Sequence, residues 1–182
     1  MADASAKAPS MYELNKALIE AETVEETDRL IKARAWVNAR CNVGNTALMT
    51  AKTAGQTKLL LEARARVDHF NDRGYTALMY AKTAEQTDLL IKAGADVNDE
   101  NEFRETALML AKTTEQIDLL LKAGARIDSI DDCGNNALVK TKSIEIVKFL
   151  IKSGISIIKK DEDIESYVKD LKLEIEKKNK NK

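Results

Sequence analysis

The chain has 182 residues, and its 29 Lys and Arg against 30 Asp and Glu leave a formal charge of −1. That balance argues against a general attraction to nucleic acid or an anionic membrane, and no apolar run reaches the roughly 18 residues of a membrane-spanning helix. One proline, few aromatics and abundant Ala, Leu, Lys and Glu favour helix, and two cysteines are too few for a disulfide framework.

Residues 1–11 read as a flexible leader without the apolar stretch of a secretory signal. A cytoplasmic setting is expected, with export by a route lacking such a signal as the alternative. Beyond the leader the sequence repeats every 30 residues without gaps. Thr46-Ala47-Leu48-Met49 returns as Thr76-Ala77-Leu78-Met79, Thr106-Ala107-Leu108-Met109 and Asn136-Ala137-Leu138-Val139. Leu59-Leu60-Leu61 returns as Leu89-Leu90-Ile91, Leu119-Leu120-Leu121 and Phe149-Leu150-Ile151. A more degenerate unit precedes these, with Ala17-Leu18 and Ala21 on the first frame and Leu30-Ile31 on the second. The expected units are 12–44, 45–74, 75–104, 105–134 and 135–158.

Each unit reads as two short helices and a loop. The first helix starts at Thr46 or its equivalent and is expected to run about two turns. Thr53-x-x-Gln56, Thr83-x-x-Gln86 and Thr113-x-x-Gln116 then carry a capping signature, as does Thr23-x-x-Glu26. Thr23, Thr53, Thr83, Thr113 and Ser143 are therefore expected to start the second helices. Gly94, Gly124 and Gly154 close them in a left-handed turn. After the last unit, Ile164, Tyr167, Val168, Leu171 and Ile175 fall at helical spacing. Residues 159–178 are expected to form a helix capping the stack, with a docking helix as the alternative, and 179–182 form a basic tail.

The unit from Thr76-Ala77-Leu78-Met79-Tyr80-Ala81 to Leu89-Leu90-Ile91-Lys92-Ala93-Gly94-Ala95-Asp96-Val97-Asn98 resembles the ankyrin repeat, T-P-L-H-x-A … L-L-L-x-x-G-A-D-V-N. The resemblance covers roughly residues 12–158. The unit is shorter than the usual 33 or so residues, the difference falling between the two helices. Ala replaces the motif's Pro, and Met or Val its His, so Met49, Met79 and Met109 are expected to pack apolarly there. The resemblance implies an all-α repeat solenoid of about five helix-turn-helix units with projecting loops. It further implies a non-catalytic module that binds a partner protein along those loops and the first helices.

Positions that differ between the copies mark where stacking releases the side chain. They form five columns: Trp36, Arg66, Asp96, Arg126; Arg40, Phe70, Glu100, Ile130; Val43, Arg73, Phe103, Cys133; Asn45, Tyr75, Glu105, Asn135; and Thr50, Tyr80, Leu110, Lys140. Five of the eight aromatics and seven of the eight arginines lie in these loops and columns, which are residue types enriched at interface hot spots. The partner-binding candidates are Arg34, Trp36, Arg40, Arg64, Arg66, Phe70, Arg73, Tyr75, Tyr80, Glu100, Phe103 and Glu105. Arg34 and Arg64 stand where later units have glycine. Either they keep a left-handed backbone at about 1–2 kcal/mol, or the loop relaxes into another turn. The surface is expected to be basic in its first half and acidic in its second, which suits a shaped protein better than nucleic acid.

His69, the sole histidine, lies in a variable loop and reads as a surface residue. No metal-ligand cluster, phosphate-binding Gly loop or nucleophile–base pair is present. No enzyme activity, small-molecule substrate, cofactor, metal or membrane partner is expected. The chain is expected to be monomeric alone. A self-associating structural repeat and a library-selected binder on an ankyrin scaffold are the alternatives.

Overall fold

A computed structural model describes residues 8–141 and 143–156. Residues 1–7 of the leader, the capping helix expected at 159–178 and the basic tail at 179–182 lie outside them. The helices are α1 (Met11–Glu20), α2 (Val24–Lys32), α3 (Ala47–Thr50), α4 (Ala54–Glu62), α5 (Ala84–Lys92), α6 (Ala107–Leu110), α7 (Thr114–Lys122), α8 (Ala137–Lys140) and α9 (Ile144–Lys152). Second helices stack in the order α2, α4, α5, α7, α9, and α2, α4, α7 and α9 each pack against the first helix of their own unit. Two columns of leucine run through the stack. Leu18, Leu48, Leu78, Leu108 and Leu138 come from the first segments, and Leu30, Leu60, Leu90, Leu120 and Leu150 from the second. All ten are buried, so each unit covers apolar surface that its neighbour cannot bury alone.

α1 has ten residues, but the first helices of the later units are shorter than the two turns expected. α3, α6 and α8 have four residues each. In the third unit, residues 77–80 form only a tight turn, closed by Tyr80 N–H to Ala77 O at 3.2 Å and Ala81 N–H to Leu78 O at 3.3 Å. The cause is the length of the unit. Ala51 already leaves the helical region (ψ 127°), because only Ala51 and Lys52 separate α3 from the N-cap Thr53 of α4. Thr46, the N-cap that follows the preceding loop, bounds α3 on its other side.

Thr23, Thr53, Thr83, Thr113 and Ser143 are the N-caps of α2, α4, α5, α7 and α9, each accepting the N–H three residues on. The glutamines that complete the capping signature do more than cap. Gln86 Oε1 accepts Lys82 N–H at 3.0 Å, while Nε2 donates to Ala51 O at 3.1 Å and Thr57 Oγ1 at 3.2 Å in the preceding unit. Gln56 and Gln116 repeat these bonds one unit either side. All three are 2% exposed, so the amide is a buried polar bridge with both donors used and its oxygen bonded. At the last junction both partners change together. Ile117 stands in place of the hydroxyl and Ile146 in place of the amide, both buried.

Met49, Met79 and Met109 are buried as expected. The hydroxyls of Thr46, Thr76 and Thr106, three residues earlier, are buried without a hydrogen-bond partner. In the last unit Asn136 holds that position. Its Oδ1 accepts from Leu138 and Val139 N–H, and its Nδ2 donates to Ser156 O at 2.8 Å.

Candidate partner-binding surface

The loops that carry the variable columns share one geometry. Each closes a four-residue turn, at 41–44, 71–74, 101–104 and 131–134, by paired backbone bonds. The fourth residue has positive φ: Gly44 (79°), Gly74 (75°), Arg104 (59°) and Gly134 (72°). Asn71, Asn101 and Asp131 lock their turns by accepting, through Oδ1, the N–H groups two and four residues on. Cys41 holds the equivalent place in the first loop. There Arg40 Nε donates to Gly44 O at 3.2 Å instead.

Neighbouring tips are tied by main-chain bonds. Asp72 N–H donates to Val43 O (3.3 Å), Glu102 N–H to Arg73 O (3.0 Å) and Asp132 N–H to Phe103 O (3.1 Å). A Cβ on Gly74 would come within 3.0 Å of Asn101 Cα, so these loops approach as closely as backbone allows. The loop bases are tied as well. Asn38 Oδ1 accepts Arg66 N–H at 2.8 Å, Asn98 Oδ1 accepts Arg126 N–H at 2.9 Å, and Asp128 Oδ1 accepts Ser156 N–H at 2.7 Å. The result is a continuous row of fingers rather than separate loops.

The candidate residues divide by environment. Trp36 and Phe70 are 62% and 61% exposed, and Phe103 and Val43 also project. Arg34, Arg40, Arg64, Arg66, Arg73 and Glu100 are exposed. Several of these charges face each other, however. Arg40 pairs with Asp72 at 3.0 Å, Arg66 with Asp68 at 3.0 Å, Arg73 with Glu102 at 3.4 Å and Arg104 with Glu100 at 3.5 Å. The hydrogen bond from Arg66 holds the Asp68 carboxyl below its usual range. Arg34 and Arg64 make no ion pair with any described residue. Both keep the left-handed backbone, at φ 65° and 64°. Tyr75 is half-buried and stacks on Tyr80, with ring centroids 5.4 Å apart.

Glu105 is the correction. Its column suggested a projecting side chain, yet it is 9% exposed. Its carboxylate accepts from Lys140 Nζ (2.5 Å), Asn101 Nδ2 (2.8 Å) and the Tyr75 hydroxyl (3.2 Å). Lys140 Nζ also lies 2.9 Å from Asp131 Oδ2. Burial opposes the charge on Glu105, but Lys140 and Asn101 outweigh it and hold the carboxyl below its ordinary range. Burial likewise opposes the charge on Asp131, and the Asn135 N–H and Lys140 pull that carboxyl down to about 2. The acidic second half is thus partly neutralised from within. Its exposed anionic groups include Asp96, Glu100, Glu102 and Asp132.

Two grooves meet at Trp36. One, of about 380 Å³, is lined by Tyr12, Asn15, Lys16, Trp36, Arg40 and Val43 among others. The second, open and of about 610 Å³, is lined by Met11, Asn15, Arg34, Trp36, Asn38 and Arg64 among others. Asn15 Oδ1 fixes the loop by accepting Trp36 N–H at 2.6 Å. The contributions of Met11, Tyr12 and Asn15 were not anticipated. They sit on α1 in the degenerate first unit, where comparison between copies says least. Among the described residues no group of His, Cys, Asp and Glu is arranged to hold a metal ion, and no helix is long and apolar enough to cross a membrane. Cys41 is half-buried and Cys133 exposed.

A comparison with curated proteins returned no match. A family model described as "Ankyrin repeats (3 copies)" matches residues 11–99 and again 82–161. Ankyrin repeats are in general non-catalytic modules of protein–protein interaction. With its 30-residue unit, paired helices and finger loops, the chain belongs to the ankyrin-repeat family.

Proposed function

We propose that this chain is a non-catalytic module that holds one partner protein along its finger row. The single observation behind this is the exposure of Trp36, Phe70 and Phe103 on loops otherwise fixed by main-chain bonds. Large aromatic side chains on a rigid frame supply contact area at little entropic cost. Arg34, Arg40, Arg64, Arg66, Arg73 and Glu100 surround them with charge, and Tyr75 and Tyr80 continue the surface onto the third unit. Glu105 supports this surface from beneath by holding Tyr75, rather than contacting the partner.

The test is affinity capture from a cell extract with the wild type and with a variant carrying Trp36→Ala, Phe70→Ala and Phe103→Ala. Tyr75 is left in place because it anchors Glu105. The partner should be recovered by the wild type alone, while circular dichroism of the two is the same. Equal recovery by both would refute the assignment.

A further inference from the structure

Arg34 and Arg64 are the residues of this surface whose presence the fold does not explain. Each occupies the position after a helix end, closing the same turn as Gly94, Gly124 and Gly154. Arg34 N–H donates to Ile31 O and Ala35 N–H to Leu30 O, as Gly94 N–H does to Ile91 O and Ala95 N–H to Leu90 O. A non-glycine residue in this left-handed turn is strained. Nothing lies within 4 Å of where a Cβ would sit on Gly94, Gly124 or Gly154, so this position faces open space in three of the units. A Cβ there makes no contact that offsets the strain. Four other loop arginines are ion-paired, whereas these two have no ion pair among the described residues. Both line the same groove, together with Trp36 and the apolar Met11.

Resting on the partner-binding reading above, we infer that this groove receives an acidic, extended segment of the partner protein. Carboxylates of that segment meet Arg34 and Arg64, and an apolar side chain lies on Trp36. Charge complementarity carries the choice of occupant. Two unpaired guanidinium groups on neighbouring units offer planar forks that match carboxylates. Beyond them the row carries the exposed carboxylates of Asp96 and Asp132, which would repel a continuous polyanion such as a nucleic acid strand. A protein segment can be acidic over one groove and neutral or basic over the next.

Trp36 is the only tryptophan in the chain, so its emission reports on this groove without a label. The probe is a synthetic decapeptide repeating Glu-Glu-Leu-Glu-Gly, titrated into the whole protein at low salt. A second peptide with Gln for every Glu, and a ten-nucleotide oligo-dT, are run beside it. The Glu peptide should shift Trp36 emission saturably, and the Gln peptide should not. Arg34→Gly and Arg64→Gly should each weaken binding about tenfold, a loss of about 1.4 kcal/mol. Both variants should fold, since glycine is native at this position in three units. No shift with millimolar Glu peptide, equal affinity in both glycine variants, or tighter binding of oligo-dT would overturn the inference. Failure here with loss of partner by the aromatic-stripped variant would leave the finger surface standing. Retention of the partner by that variant would instead remove the broader reading.

Discussion

At the scale of single residues, strain marks where this chain departs from its own pattern, and an unmet hydrogen bond recurs within it. Arg34 and Arg64 sit at φ 65° and 64° in a turn that other units build with glycine. Replacing either by glycine should stabilise the fold by about 1 kcal/mol, because relief of the left-handed backbone exceeds the added freedom of the unfolded chain. Thermal melts of the two single variants check this, and a fall in Tm for both would contradict it. The buried, unpartnered hydroxyl of Thr76 points the same way. Thr76→Val keeps the shape and removes a polar group that gains nothing from burial. Unfolding in urea should show a gain of about 1 kcal/mol.

At the scale of elements, the glutamine bridges join the helices. Gln86→Ile would strand the Ala51 carbonyl and the Lys82 N–H, leave the Thr57 hydroxyl only its bond to Thr53 O, and should cost about 3 kcal/mol in urea. Adding Thr57→Val removes a hydroxyl that has lost one of its two partners and should recover about 1 kcal/mol, mirroring the natural pairing of Ile117 with Ile146. If the double variant is no more stable than the single, the bridge is not the unit of stabilisation. The Lys140 network makes a second link, across the third, fourth and fifth units. Asp131 has its carboxyl held down to about 2, below its ordinary 3.8. A depressed acid stabilises the fold above its unfolded value, and that contribution is lost as pH falls through the folded one. Stability should therefore decline between about pH 4 and pH 2. Asp131→Asn should lessen that decline, since Asn71 and Asn101 hold the same turn without charge. Urea unfolding at pH 5 and pH 2.5 measures it.

At the scale of the whole molecule, local rules were legible and mutual ones were not. The second-helix N-caps could be read because Thr-x-x-Gln acts within one turn, and the leucine columns because every unit carries them. The reach of Gln86 to the preceding unit could not be read, since a capping signature says nothing of what lies beside it. Glu105 shows the same limit within the candidate site. Variation in its column suggested release from stacking, yet the change is answered by Lys140, 35 positions on. Two columns can vary because they compensate each other. Arg40, Arg66 and Arg73 were legible as exposed, but their carboxylate partners required the loops to be brought together. The remaining sticky surface is a narrow row rather than a broad apolar face. Light scattering should therefore give a monomer mass at all concentrations, whereas a dimer mass would favour self-association through Phe70 and Phe103.

The ties between finger tips run through the N–H groups of Asp72, Glu102 and Asp132 and the carbonyls opposite them. Every amino acid except proline supplies that N–H. The distance from one tip to the next is therefore indifferent to which side chains the tips carry. Proline at 72, 102 or 132 is the exchange the row would refuse. Side chains at positions 43, 73, 103 and 133 can change while the ruler on which they are displayed stays unchanged.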